Sequence, residues 1–130
     1  MAIGNTSILL VEQRLIDLIM LETVLCTVPG VALHVAQSGI KAMQLVARVE
    51  PTLLLIALDL PDMGGCELLA ALRTAGTCDS ARAIALTADG ETDAMRCGFD
   101  AVWTKPLDSR GLLSRCRALG LMPRIRLPGM

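Results

Sequence analysis

Short apolar runs of strand length alternate five times with helix-length amphipathic stretches, and this alternation constrains the fold more than any other feature of the chain. Ser7–Val11 is a continuous apolar run, and Arg14–Thr27 follows with helical spacing until Pro29-Gly30 stops it. Val31–Ala36 reads as a second strand. Ser38 is placed to cap a helix over Gly39–Val49, which Pro51 closes. Thr52–Leu58 is unbroken, the pattern of a strand buried on both faces. A third helix is expected over Gly64–Thr74, a fourth strand over Ala83–Leu86 and a short helix over Asp89–Cys97. Ala101–Thr104 then makes a fifth strand and Ser109–Leu119 a final helix. Strand–helix repeats of this kind give an α/β doubly wound parallel sheet, because each crossover is right-handed and carries its helix onto a sheet face. Ligands of such sheets bind at the carboxyl ends of the strands, so chemistry is sought there.

The 130 residues fit one domain, expected over residues 1–120, with 121–130 as a tail or the start of a linker because its two prolines break any periodicity. Apolar residues make up 53% of the chain, yet it has one Phe, one Trp and no Tyr, so the core must be aliphatic. No uncharged apolar run approaches the ~18 residues of a membrane span, since Leu15–Val28 carries Asp17 and Glu22. The start of the chain also lacks the pattern of a secretory signal, which makes a cytoplasmic location the expectation. The cysteines at 26, 66, 78, 97 and 116 form no CxxC pair, and the lone His34 lies far from any Cys pair. Reduced thiols and no zinc site are therefore expected. From Lys105 onward six basic residues face Asp108 alone. We read this as a solvated helix face and do not expect nucleic acid to bind through it.

Four short motifs, taken in three sets, stand at expected strand ends. The first is Ile8-Leu9-Leu10-Val11-Glu12-Gln13. The second is the segment from Leu53 through Ala57, Asp59, Pro61 and Met63 to Gly65. Ala85-Leu86-Thr87-Ala88 and Thr104-Lys105-Pro106 form the third set. Together and in this order they resemble the receiver domains of bacterial response regulators, the CheY-like family, over nearly 120 residues. The resemblance implies a flavodoxin-like (βα)5 fold with strand order 2-1-3-4-5 and a cis peptide bond before Pro106.

In that family a carboxylate accepts a phosphoryl group beside a magnesium ion held by acids, while a hydroxyl and a lysine hold the phosphoryl oxygens. Anchoring on Pro61, Met63 and Gly65 puts the acceptor at position 57, where this chain has Ala57. Glu12 keeps one acid of the metal-binding pair, and Gln13 replaces the other. Magnesium favours hard anionic oxygens, so its site is expected to be lost and no cofactor is expected. The resemblance makes Thr87 the phosphate-sensing hydroxyl and Lys105 the phosphoryl-binding cation. Asp59 falls where the family supplies only a backbone carbonyl. The rotating aromatic of the family's switch is replaced by Val102, with Trp103 beside it on the other strand face. The stretch from Thr87 to Gly98 is also short for the family, so the fourth helix should be reduced.

The resulting expectation is a pseudo-receiver without enzymatic activity, a phosphorylation-independent interaction module in two-component signalling, and the N-terminal part of a larger regulator. Its partners would be proteins, a signalling kinase or an output domain of the same regulator. A homodimer is the further option, and no membrane association is expected. Two alternatives stand beside this reading. One is an active receiver, using a substitute carboxylate or carrying Asp at 57 in its natural form. The other is a sensor that binds a small anion such as a nucleotide in the vacated pocket. Lys105 is expected to pair with Glu12, because a buried ammonium needs a counter-charge. The first helix is apolar on more faces than sheet packing needs. Ile16, Ile19, Met20 and Val24, with the face near Trp103, are its expected association surface.

Overall fold

In the computed structural model, which describes residues 6–76, 78–90 and 93–124, five parallel strands form one sheet in the order β2-β1-β3-β4-β5. They are β1 (Thr6–Val11), β2 (Val31–Ala36), β3 (Leu53–Ala57), β4 (Arg82–Thr87) and β5 (Ala101–Thr104). The helices are α1 (Leu15–Leu25), α2 (Gly39–Val49), α3 (Gly65–Thr74) and α4 (Ser109–Ala118), with a single 3-10 turn at Ala94–Cys97. This is the doubly wound order expected from the sequence. α1 packs beside α4, and α3 packs beside both α2 and the 3-10 turn. The expected short helix at Asp89–Cys97 is corrected: its described part is helical only over those four residues. Gly98, left-handed at φ 108°, ends the turn before β5.

Local chemistry explains where the elements begin and end. Ser38 caps α2 by accepting the Lys41 N–H at 3.2 Å, and Asp108 caps α4 by accepting the Gly111 N–H at 2.6 Å. Such caps satisfy helix-end donors and contribute about 1 kcal/mol each. α2 stops where Glu50 turns left-handed, at φ 42°, just before Pro51. β3 is buried along its whole length, as its unbroken apolar sequence requires. The core around it is aliphatic, with Ile8, Leu10, Leu55, Ile56 and Ile84 essentially inaccessible. Each such side chain contributes roughly 1.5–3 kcal/mol relative to an exposed one. Beyond α4, Leu121 is buried and the Arg124 N–H donates to Thr27 Oγ1 at 3.1 Å.

α1 divides its apolar residues between core and surface. Leu18, Leu21, Val24 and Leu25 point inward, whereas Leu15, Ile16 and Ile19 are 63%, 82% and 58% exposed. Val24 is thus removed from the expected association surface, because its position on the helix faces the sheet. Met20 is only partly exposed, since it packs on the core and its sulfur accepts from Ser109 Oγ on α4. His34 lies half-buried on β2, which is an edge strand.

Candidate functional site at the strand ends

Parallel register brings the site residues to one edge of the sheet. Val11 is level with both Ala36 and Ile56, Ala57 with Leu86, and Thr87 with Thr104. Glu12 and Lys105, each one residue beyond its strand, therefore meet the ends of β3 and β4.

Glu12 is completely buried and makes contacts through both carboxylate oxygens. Its Oε1 lies 2.5 Å from Lys105 Nζ, and its Oε2 accepts the N–H groups of Gln13 at 2.9 Å and Arg14 at 3.1 Å. Lys105, whose side chain is 8% exposed, also reaches Asp17 Oδ2 at 3.0 Å. The expected Glu12–Lys105 pair is present, and Asp17 is a third member that sequence reasoning missed. Asp17 was read only as a polar interruption of α1. Its place in the first turn of that helix, five residues after Glu12, is the signal that marks it. Arg14 Nε stands 3.9 Å from the same Asp17 oxygen, so two cations and two carboxylates share this corner. A cleft of about 210 Å³ beside them is lined by Arg14, Asp17, Ala88, Lys105 and Pro106, and Ala57 is not part of its wall. The Lys105-Pro106 peptide bond is cis, as the resemblance implied.

The other positions are more dispersed. Gln13 and Asp59 are exposed, and Asp59 pairs through its backbone with Gly64. Ala57 is completely buried. The start of α3 presses on its backbone: a Cβ at Gly65 would lie 2.7 Å from the Ala57 carbonyl oxygen and 2.8 Å from Leu58 Cα. Only glycine fits there. Thr87 is half-buried, and its Oγ1 accepts the Asp89 N–H at 3.0 Å. Val102 is half-buried, while Trp103 is buried and lies 5.8 Å from the Arg115 guanidinium. Arg115 thereby leaves the expected solvated basic face and stacks on the aromatic ring. Asp62 was not singled out from sequence for structure. Its carboxylate accepts the N–H groups of Gly39 and Ile40, both at 2.9 Å, and so clasps the N-terminus of α2. These bonds, Gly39 first, hold its pKa below the usual carboxylate value. Among the described residues, no three His, Cys, Asp or Glu side chains converge as a metal site.

The expectation of five reduced thiols is corrected by the geometry. Cys66 in α3 and Cys97 in the 3-10 turn are joined as a disulfide. They are 31 residues apart, and only the packing of α3 against the turn brings them together.

This sheet order, with functional side chains gathered at its carboxyl edge, defines a receiver-like α/β domain. The chain matches the response regulator receiver domain family over residues 8–117, and it belongs to that family. It is 32% identical over 94 residues to the response regulator MprA of Mycobacterium leprae, covering 69% of this chain and 40% of that protein. An uncharacterised 14.6 kDa protein of Leptolyngbya boryana is 34% identical over 88 residues, covering 65% of this chain and 67% of that one. Among solved structures, the signal receiver domain of an HD domain-containing protein from Pseudomonas fluorescens is 30% identical, with TM-score 0.76, covering 91% of this chain and 88% of that one. The chemotaxis response regulator CheY4 of Vibrio cholerae shares the fold, with TM-score 0.79 at 18% identity, covering 88% of this chain and 98% of that one. The chain is a receiver domain of two-component signalling. Among the described residues, no helix is long and apolar enough to cross a membrane.

Proposed function

We propose that this receiver domain works without taking up a phosphoryl group, as a non-enzymatic protein-interaction module in the cytoplasm. The observation that carries the reading is the state of its charged residues. Position 57 holds a buried methyl group, and the Lys105 ammonium is already matched by Glu12 and Asp17. Magnesium does not fit the donors at this edge. Gln13 and Ala57 supply no carboxylate, and both oxygens of Glu12 are engaged by Lys105 and by two backbone N–H groups. Magnesium sheds its water reluctantly and needs anionic oxygens left open to it. A small anion fares no better in the adjoining cleft, because both of its cations already face carboxylates: Lys105 meets Glu12 and Asp17, and Arg14 stands beside Asp17. The exposed Leu15, Ile16 and Ile19 on α1 supply apolar area for a protein partner, a kinase or an output domain of the same regulator.

Incubation with magnesium and acetyl phosphate, followed by intact mass measurement, tests this directly. The mass is expected to remain that of the unmodified chain. A phosphoryl adduct, mapped to any carboxylate, overturns the proposal.

A further inference from the structure

We infer that Cys66 and Cys97 are a reversible redox pair that tethers the 3-10 turn Ala94–Cys97 to the start of α3, giving the domain a thiol-dependent input. The two cysteines lie in different elements, with Cα atoms 5.8 Å apart. The turn packs against α3 and β5, and the disulfide adds a covalent tie to α3. Ala94 is buried, but Arg96 and Met95 are exposed, and a single 3-10 turn has poorer hydrogen-bond geometry than an α-helix. Gly98, at φ 108°, ends it, and the next core anchor is Phe99.

The chemistry of the five cysteines differs by environment. Cys66 is the second residue of α3 and partly exposed, a helix N-terminal position that favours the thiolate. Cys97 is also partly exposed, so neither cysteine is sealed in the core. Cys78 and Cys116 are buried, and burial pushes the Cys116 thiol up to about 11, which keeps it unreactive. Cys26 is exposed but stands at the far end of α1. The reduced state is accommodated as well, because Cys97 Sγ lies 3.2 Å from the Ala94 carbonyl oxygen and its thiol has an acceptor within its own turn.

The step balances as a dithiol–disulfide exchange. A thiolate of a protein or small-molecule dithiol attacks one sulfur, forms a mixed disulfide with it and releases the other cysteine as a thiolate. The dithiol's second thiol then attacks its own sulfur in the mixed disulfide and releases the first cysteine. Cys66 and Cys97 gain two electrons and two protons, and the dithiol leaves as a disulfide; an oxidised partner reverses the exchange. Disulfides in a reducing cytoplasm are mostly transient and redox-sensing, so the signalling role rests on the cytoplasmic placement proposed above. The pairing itself does not. Because Gly65 is pressed against Ala57 and Leu58, the tether connects the turn to the strand edge, and its release alters the surface shared by α3, the turn and β5.

The test uses the whole chain, equilibrated with oxidised glutathione and then with excess dithiothreitol. Alkylation after denaturation should find three thiols before reduction and five after, and peptide mapping should place the link between residues 66 and 97. Hydrogen exchange at residues 94–99 should accelerate at least tenfold on reduction, over times in which β1 and β3 show no measurable exchange. The melting temperature should fall by roughly 10 °C. C97S and C66S should show the fast exchange under both conditions. Five thiols after oxidation, a link through another cysteine, or equal exchange in the two states each overturns the inference. Reduction of the unmodified chain gives the answer even if a serine variant folds poorly. None of these readings depends on whether position 57 accepts phosphate.

Discussion

The β1–β3 flank and the β4–β5 flank of the strand-end edge are built alike yet differ in what they hold. On the first, Gln13 is exposed and Ala57 buried, so Glu12 is the acid left at its end. On the second, Thr87 and Lys105 stand where the receiver resemblance places them. The lesson lies in the contact between the flanks. Lys105 is the residue the family uses for phosphoryl oxygens, but here it bridges Glu12 and Asp17. The ammonium at the family position is thus matched by two carboxylates. The ammonium is held because removing it strands a buried carboxylate.

The largest expected effect breaks that bridge from its cationic side. Lys105→Met leaves Glu12 buried without a counter-charge and should cost about 3–5 kcal/mol in urea denaturation at pH 7. A loss below about 1 kcal/mol would mean that solvent reaches the pair. Breaking it from the acidic side is milder. Glu12→Gln keeps an oxygen for the Gln13 and Arg14 N–H groups and leaves Lys105 with Asp17, so a loss of about 1–2 kcal/mol is expected. Asp17→Asn should cost about 1 kcal/mol. A double-mutant cycle between positions 12 and 17 should show coupling above ~0.5 kcal/mol, and strict additivity would show that Lys105 serves the two acids independently.

Rebuilding the first flank sharpens the comparison. Gln13→Asp with Ala57→Asp should restore measurable magnesium binding by calorimetry. Beryllofluoride should then shift only amide signals near the strand ends, because Val102 gives no rotating aromatic to carry a change along β5. Signals moving widely across the 3-10 turn and Trp103 would show a working switch. The smallest effect concerns the Asp62 clasp. Its folded pKa is held below the ordinary carboxylate value by the Gly39 and Ile40 N–H groups, so the stability it adds is present above that ordinary value and disappears as pH falls through the folded pKa. Asp62→Asn should lower the melting temperature slightly at pH 7, and the difference should shrink below about pH 4.

The sequence made most of the fold legible because its strands are short, unbroken and punctuated. Val31–Ala36, Gly39–Val49 and Ala101–Thr104 appear with the bounds that pattern predicts, each flanked by a cap, a proline or a glycine. The 3-10 turn was read as a short helix over Asp89–Cys97 because strand–helix alternation calls for a helix between β4 and β5, and alternation does not set the helix's length. Within the site, the Glu12–Lys105 pair followed from the resemblance that puts both residues at one strand edge and from the need of a buried ammonium for a counter-charge. Asp17 did not, since its role depends on how α1 leaves the β1 edge. The Cys66–Cys97 bond was invisible for a similar reason: pairing across 31 residues is set by tertiary packing, and no local spacing encodes it.

Trp103 makes the domain its own optical instrument. It is the chain's one Trp, in a sequence without Tyr, so emission excited near 295 nm comes from one place. That ring is 4% exposed and capped by Arg115 of α4, a setting that predicts blue-shifted light sensitive to the guanidinium. A partner that draws Arg115 into an ion pair should change the brightness of this signal, whereas one that touches only α2 should leave it dark to the event. Titrations can therefore discriminate docking faces on the unlabelled protein.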